Sequence, residues 1–229
     1  MSQPLGPITP VLADPRSLPP ELVGLTSALS SDPEEIQRRV THRRPTREGS
    51  RRASVLVMIG TEDFDITFTE RAHTMRKHPG QISFPGGSLE PGEGAVEAAL
   101  REAWEEIGLA PSRAQVMGRL PAAHVRASAF DVAAIVAAWD GEADNAVVPV
   151  DAAEVAAVHR YRIEDLADPA NRVTAVLPQG YSGPAFTMGE IFIWGFTAHL
   201  TDILLDLGGW SREWDSTREV PVPRRFLRD

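Results

Sequence analysis

The sequence predicts an α+β fold in which strands lie before and after one amphipathic helix, with a second apolar helix late in the chain. From Gly94 to Ile107 good helix formers dominate, and the apolar residues Val96, Ala99, Leu100, Ala103, Trp104 and Ile107 recur along one stripe. Runs rich in β-branched and apolar residues, bounded by turn signals, flank that helix on both sides. Near the end, Thr197 to Leu207 puts Leu200, Ile203, Leu204 and Leu207 on one helical face.

The elements follow in order. Pro4, Pro7, Pro10, Pro15, Pro19 and Pro20 resist helix and predict an extended lead, with a short helix from Glu21. Arg38, Arg39, Arg43, Arg44, Arg47, Arg51 and Arg52 then form a basic stretch, read either as a solvated connector or as a border of the substrate cleft. Strands are expected at Ala53 to Ile59 and Phe64 to Thr69. Pro91 and Gly92 mark the turn into the helix, and Gly108 stands where a left-handed cap ends it. Further strands are expected at Gln115 to Leu120, Phe130 to Trp139 and Val155 to Tyr161, before the late helix. From Pro221 onward the chain reads as a tail or a dimer arm. These elements divide the chain into a lead with a short helix over residues 1–45, one domain over 46–215 and a tail over 216–229.

Composition bounds the function. A chain of 229 residues with 42% hydrophobic residues can bury a substantial core as one domain. No apolar run is long enough to span a bilayer, and no charged start precedes an apolar segment, so a cytoplasmic protein without a membrane partner is expected. The absence of cysteine excludes disulfides, thiolate metal sites and cysteine nucleophiles. A net charge of −9 argues against a nucleic-acid partner.

The helix also carries chemistry. At about 100° per residue, Glu102 and Glu106 project within about 40° of each other and Glu105 lies about 60° to the other side, beside the apolar stripe. Ala95 and Ala98 precede them on the same edge, which predicts an open approach. Like charges at these spacings repel, and a hard divalent cation with oxygen ligands, Mg2+ or Mn2+, relieves that repulsion. The alternative is a solvated acidic face, with Arg101 paired to Glu97 and Glu105.

Gly87, Glu93, Arg101, Glu102, Glu105, Glu106 and Gly108 stand in the spacing G-x5-E-x7-R-E-x2-E-E-x-G. At roughly one residue in fifteen per type, chance would produce these seven positions on the order of once in 10^8 starts. The pattern resembles the box of the Nudix hydrolases. That resemblance implies an α/β/α sandwich around a central mixed β-sheet. It assigns the metals to Glu102, Glu105 and Glu106, with Glu102 and Glu105 also candidates for catalysis. Glu93 and Arg101 would brace the loop and helix.

Just upstream, Ile66 to Gly87 reads ITFTERAHTMRKHPGQISFPGG. Arg71, Met75, Arg76, His78, Gly80, Ile82, Phe84, Pro85, Gly86 and Gly87 match a signature similar to that of the coenzyme A pyrophosphatase branch of the superfamily. Ala72 departs from it, where a serine is usual. Arg71, Arg76, Lys77 and His78 concentrate positive charge beside an acidic site, which suits a substrate with several phosphates or simply neutralises the helix. By the resemblance, Arg71, Arg76, His78, Gly86 and Gly87 would bind substrate.

Asp151 to Val155 resembles the element that follows the long loop in this branch, which makes Glu154 a candidate for metal binding or water activation. Trp194 to Ala198 resembles a branch motif expected to pack the last helix on the sheet. The implied reaction is metal-dependent cleavage of coenzyme A, or a coenzyme A-like diphosphate, into 3′,5′-ADP and 4′-phosphopantetheine. Hydrolysis of ADP-ribose, a dinucleotide or a nucleoside triphosphate is the first alternative. A non-catalytic nucleotide sensor is the second, although such a module is expected to lose box glutamates. A homodimer remains open, since many Nudix proteins dimerise.

Overall fold

The computed structural model describes residues 8–31, 36, 51–125, 129–141, 146–178 and 180–227. Arg38, Arg39, Arg43, Arg44 and Arg47 of the basic stretch lie outside the described residues, as do Pro4 and Pro7 of the lead.

The central sheet forms around β2 (Arg51–Gly60), where Leu56, Val57, Met58 and Ile59 are all buried because the strand is covered on both faces. On one side β2 runs parallel to β7 (Phe130–Trp139), which pairs antiparallel with β6 (Ala114–Val125), and β6 pairs parallel with β1 (Val11–Leu12). On the other side β2 pairs antiparallel with β3 (Asp65–Arg71), and β3 carries both β4 (Ile82–Ser83) and β8 (Val155–Arg162). The short β5 (Gly86–Ser88) pairs with the start of β2. The sheet is therefore mixed.

Alternation along β2 sends side chains to two separate cores. Leu56 and Met58 meet Leu100, Ala103 and Ile107 of α2 (Ala95–Ile107). Val57 and Ile59 meet Leu22 and Leu25 of α1 (Pro20–Ser31), beyond which lie Leu200 and Leu204 of the last helix. After β8 come the short α3 (Ile163–Ala167) and, later, that last helix, α4 (Gly195–Leu207). Helices thus cover both faces of the sheet. Fully burying a leucine or isoleucine stabilises by roughly 1.5–3 kcal/mol, so Leu100 and Ile107 alone hold α2 firmly on β2.

The structure adds a second sheet that sequence periodicity does not reveal, in the order β11 (Ile191–Ile193), β10 (Ser182–Met188), β9 (Arg172–Val176), β12 (Glu219–Pro221). Pro184 sits where β10 has β9 on one side only, since pairing with β11 begins at Phe186. The segment from Pro221 onward, read from sequence as a tail or dimer arm, lies along its own chain. Strand β12 runs parallel to β9, Val222 N–H donates to the Val176 carbonyl, and Phe226 is buried. Strand β6 likewise runs past Leu120, because an irregular register between Leu120 and Ala123 absorbs Pro121.

Candidate active site

Helix α2 is punctuated by backbone, not by side-chain caps. Gly92 turns the chain at φ 85°, Gly94 is the N-cap without a side-chain bond, and Gly108 closes the helix at φ 74°. The last turn is tied off by Gly108 N–H to the Trp104 carbonyl and Leu109 N–H to the Ala103 carbonyl.

Arg101 organises the acidic residues around it. Its Nε donates to Glu93 Oε1 at 2.9 Å and its Nη2 to Glu93 Oε2 at 3.1 Å, a two-point grip. The same Nη2 reaches the Ser88 carbonyl, while Nη1 donates to Glu102 Oε1 and Glu105 Oε2, both at 3.0 Å. Glu93 in turn accepts from the Glu90 N–H, which closes the turn before the helix. The hydrogen bond from Arg101 holds the Glu93 carboxyl below its usual range. Ser88 acts through its carbonyl alone, so no side chain betrays its part in the sequence.

Glu102 and Glu106 face the glycine turn. Glu106 is 7% exposed and accepts from the Gly86 N–H at 3.2 Å. Burial, reinforced by the Glu102 charge, pushes its carboxyl up to about 8. Burial likewise raises Glu102 despite Arg101, and Glu105 and Glu154 push it in the same direction. Glu105 is half-exposed at the rim. A Cβ at Gly86 would overlap the Ser54 carbonyl, which excludes a side chain there, whereas one at Gly87 would meet the Glu102 carboxylate and displace it.

Of the two alanines expected to leave an open approach, Ala95 is half-buried and Ala98 closes its side. Ala98 is fully buried because α2 lies against β5 as well as β2. The carboxylates instead open toward Arg71, at the end of β3, whose charge acts on Glu106 and whose Nε is buried without a hydrogen-bond partner. Past Arg71, residues 72–81 form a loop closed on itself by Gly80 N–H to the Arg71 carbonyl and Arg71 N–H to the Gln81 carbonyl. Ala72 N–H donates to the Glu154 carbonyl, so the position that departs from the signature works here through its backbone. Arg76 is exposed on this loop, and His78 is half-buried with φ 57°.

Glu154 is held by a turn. The Asp151 carbonyl accepts from its N–H, and the Asp151 carboxylate accepts from the Ala153 N–H. Its charge reaches both Glu102 and Glu106. The segment before it is fastened to the end of α2 by Val150 N–H to the Glu106 carbonyl. The structure thus groups Arg71, Gly86, Gly87, Glu93, Arg101, Glu102, Glu105 and Glu106, with Glu154 at the edge. Arg76 and His78 stay on the outer loop. Thr197 donates to the Ile82 carbonyl, tying α4 to the strand just before the glycine turn.

The donor set suits a hard divalent cation. Among the described residues no three His, Asp or Glu side chains are already spaced as a closed metal site. The buried Glu106 and half-buried Glu102 beside the glycine turn nevertheless match the one or two carboxylates that Mg2+ takes, its remaining positions going to water and phosphate. Their raised protonation, caused by burial and mutual repulsion, is the strain that a cation would relieve.

A sheet sandwiched by helices, with a glutamate-lined helix edge facing a glycine turn, defines a mixed α+β protein with a carboxylate site suited to a hard cation. The NUDIX domain model matches residues 50–178, more than half of the chain, and the chain belongs to the Nudix family. It is 30% identical over 171 residues to a Salmonella paratyphi B protein named Uncharacterized Nudix hydrolase NudL, covering 69% of this chain and 83% of that one. It is 38% identical over 117 residues to Nudix hydrolase 3 of Caenorhabditis elegans, 49% of this chain and 48% of that one. The chain therefore spans about half the length of this worm relative. Among solved structures, the Nudix hydrolase RenU of M. smegmatis aligns with TM-score 0.47 at 16% identity, over 69% of this chain and 86% of that one. Among the described residues no helix is long and apolar enough to cross a membrane.

Proposed function

We propose that the protein hydrolyses the pyrophosphate bond of coenzyme A or one of its derivatives, with Mg2+ or Mn2+ held by Glu102 and Glu106 and assisted by Glu105. The observation that carries this reading is the Gly86 N–H donating to Glu106 at 3.2 Å, which sets the glycines of the signature against the carboxylate edge of α2.

A bound divalent cation supplies neutralisation of the pyrophosphate oxygens and acidifies the attacking water. Arg71, with its Nε enclosed and without a hydrogen-bond partner, offers that donor to a phosphate oxygen. Arg76 and His78 on the outer loop meet the remaining phosphates. Gly86 and Gly87 keep the turn free of side chains so that the diphosphate can approach Glu102. Arg101 holds Glu102 and Glu105 in place while Glu93 and Ser88 hold Arg101. Water attacks one phosphorus, the bond from that phosphorus to the bridging oxygen breaks, and the displaced phosphate leaves. The water proton passes to a carboxylate, either Glu154 or a glutamate of α2. The products are 3′,5′-ADP and 4′-phosphopantetheine, or its acyl form. On this reading the protein acts on small molecules in the cytoplasm.

The test is product analysis after incubation with Mg2+ or Mn2+ and equal amounts of coenzyme A, ADP-ribose, NADH and a nucleoside triphosphate. Fastest release of 3′,5′-ADP from coenzyme A supports the reading. Faster cleavage of another diphosphate assigns the same machinery a different substrate, and no cleavage of any of them defeats the catalytic reading.

A further inference from the structure

One concavity of the described residues lies away from the carboxylates. Strand β3 sends Arg71 toward α2, whereas Glu70 belongs with Phe68 on the opposite face of the sheet. There Glu70, His73, Gly80 and Ile82 face Ile191 and Phe192 of the second sheet and Arg225 and Phe226 of the C-terminal turn across about 580 Å³. That volume falls within the range of ordinary small-molecule pockets.

The lining selects its occupant. Ile82, Phe192 and Phe226 are buried and give a flat apolar floor. Arg225 lies over the Phe226 ring at 4.7 Å and is held there by donation to the Glu190 carbonyl, an arrangement that offers a planar face for stacking. Glu70 is mostly buried, with its two oxygens taken by His159 at 2.9 Å and by His73 at 3.1 Å. His73 is 71% exposed, so its bond to Glu70 is the one that a ligand N–H can replace. Two carboxylates, Glu70 and Glu190, against one arginine disfavour a phosphate here. A neutral planar ring with N–H donors along its edge satisfies both floor and wall.

We propose that this cavity binds a nucleobase, stacked on the face of Arg225 turned away from Phe226 and against Ile82 and Phe192, with its donor edge on Glu70. The base belongs either to the substrate of the proposed reaction or to a separate nucleoside; only that distinction rests on the functional reading above. The wall is shared with the outer loop, since Gln81 Nε2 donates to the Phe226 carbonyl at 3.2 Å and His73 packs against Gly80. Occupancy therefore steadies the loop that carries Arg76 and His78.

Calorimetric titration of the full chain with adenosine, in EDTA and without turnover, tests this directly. Saturable binding is expected, with no binding of ribose or inorganic phosphate under the same conditions. Glu70→Gln, which keeps the shape of the wall, and Ile191→Trp, which fills the cavity from a half-buried position, should each weaken adenosine at least tenfold while thermal melts confirm folding. No binding of adenosine at millimolar concentration, equal binding of phosphate, or adenosine binding indifferent to both substitutions would overturn the proposal. Such a failure leaves the product analysis untouched, and failure of the product analysis leaves this binding untouched. In the active enzyme, competitive inhibition by adenosine assigns the base to the substrate, and inhibition or activation without competition assigns it to a second ligand.

Discussion

Replacing Glu106 by Gln should stabilise the metal-free protein, and the gain should grow with pH. Burial and the Glu102 charge raise the Glu106 carboxyl from the ordinary 4.5 to about 8. A carboxyl raised in the folded state favours folding while both states are protonated, below about 4.5, and that advantage is lost as pH climbs through about 8. The interval of about 3.5 units corresponds to an upper limit of about 5 kcal/mol above pH 8, and to roughly 3 kcal/mol at pH 7. Gln keeps an oxygen for the Gly86 N–H and carries no charge, so it removes the penalty without removing the bond. For a chain of this size 1 kcal/mol moves the melting temperature by about 2–4 °C, which makes the expected gain at pH 7 about 6–12 °C. Thermal melts of both proteins in EDTA from pH 5 to 9 measure it. The two curves should nearly meet at the acid end, diverge through neutrality and run parallel above about pH 8. A difference of constant size, or a variant less stable at pH 8, would refute the assignment of a strained carboxyl to this position.

Four further outcomes follow from the same geometry. Binding of Mn2+ should tighten about tenfold per unit between pH 6 and 8 and level off above, because a proton must leave Glu106 first; titration calorimetry in buffers of different ionisation enthalpy counts that proton. Arg101→Ala should cost roughly 2–4 kcal/mol in urea unfolding, since the two-point grip on Glu93 and the bonds to Glu102, Glu105 and Ser88 all vanish. Gly87→Ala should lower metal affinity at least tenfold by pushing the Glu102 carboxylate aside, with little change in melting temperature because only the flexible end of that side chain is displaced; equal affinity would mean that Glu102 does not hold the metal. If Glu154 takes the water proton, Glu154→Gln should lower kcat by about 10^2-fold or more with an unchanged melting temperature, whereas an unchanged kcat moves the base to α2.

The sequence reveals helix α2 to within a residue because its apolar stripe, its turn and its terminal glycine all agree. Spacing alone also shows that Glu102, Glu105 and Glu106 share an edge, since helical geometry is local. The same spacing misplaces the opening at Ala98, because an alanine reads equally well as a gap beside a ligand or as a close contact with a strand, and β5 fills that side. The second sheet escapes for a different reason. Its strand β9 begins with Arg172, wholly buried between the rings of Phe186 and Trp214 and paired with Asp202, and β10 contains Gly183 and Pro184. Charge, glycine and proline locally signal loop, and only the distant rings and the parallel β12 make these residues strand. The cavity lined by Glu70 and Phe226 depends on that long-range packing, so no motif announces it.

Two of the buried charge centres among the described residues are built on opposite terms. Around Arg172 one cation is matched by the Asp202 carboxylate and enclosed by two aromatic faces, so the charge is spent within the fold. Around α2 one cation, Arg101, is divided among Glu93, Glu102 and Glu105, and Glu106 receives only a backbone N–H and the more distant field of Arg71. Adding a basic residue beside Glu106 would relieve that imbalance and stabilise the chain, at the cost of filling the position where a cation from solution can settle. On the proposed function, the unmatched charge is half of a site whose other half arrives with the metal and the diphosphate.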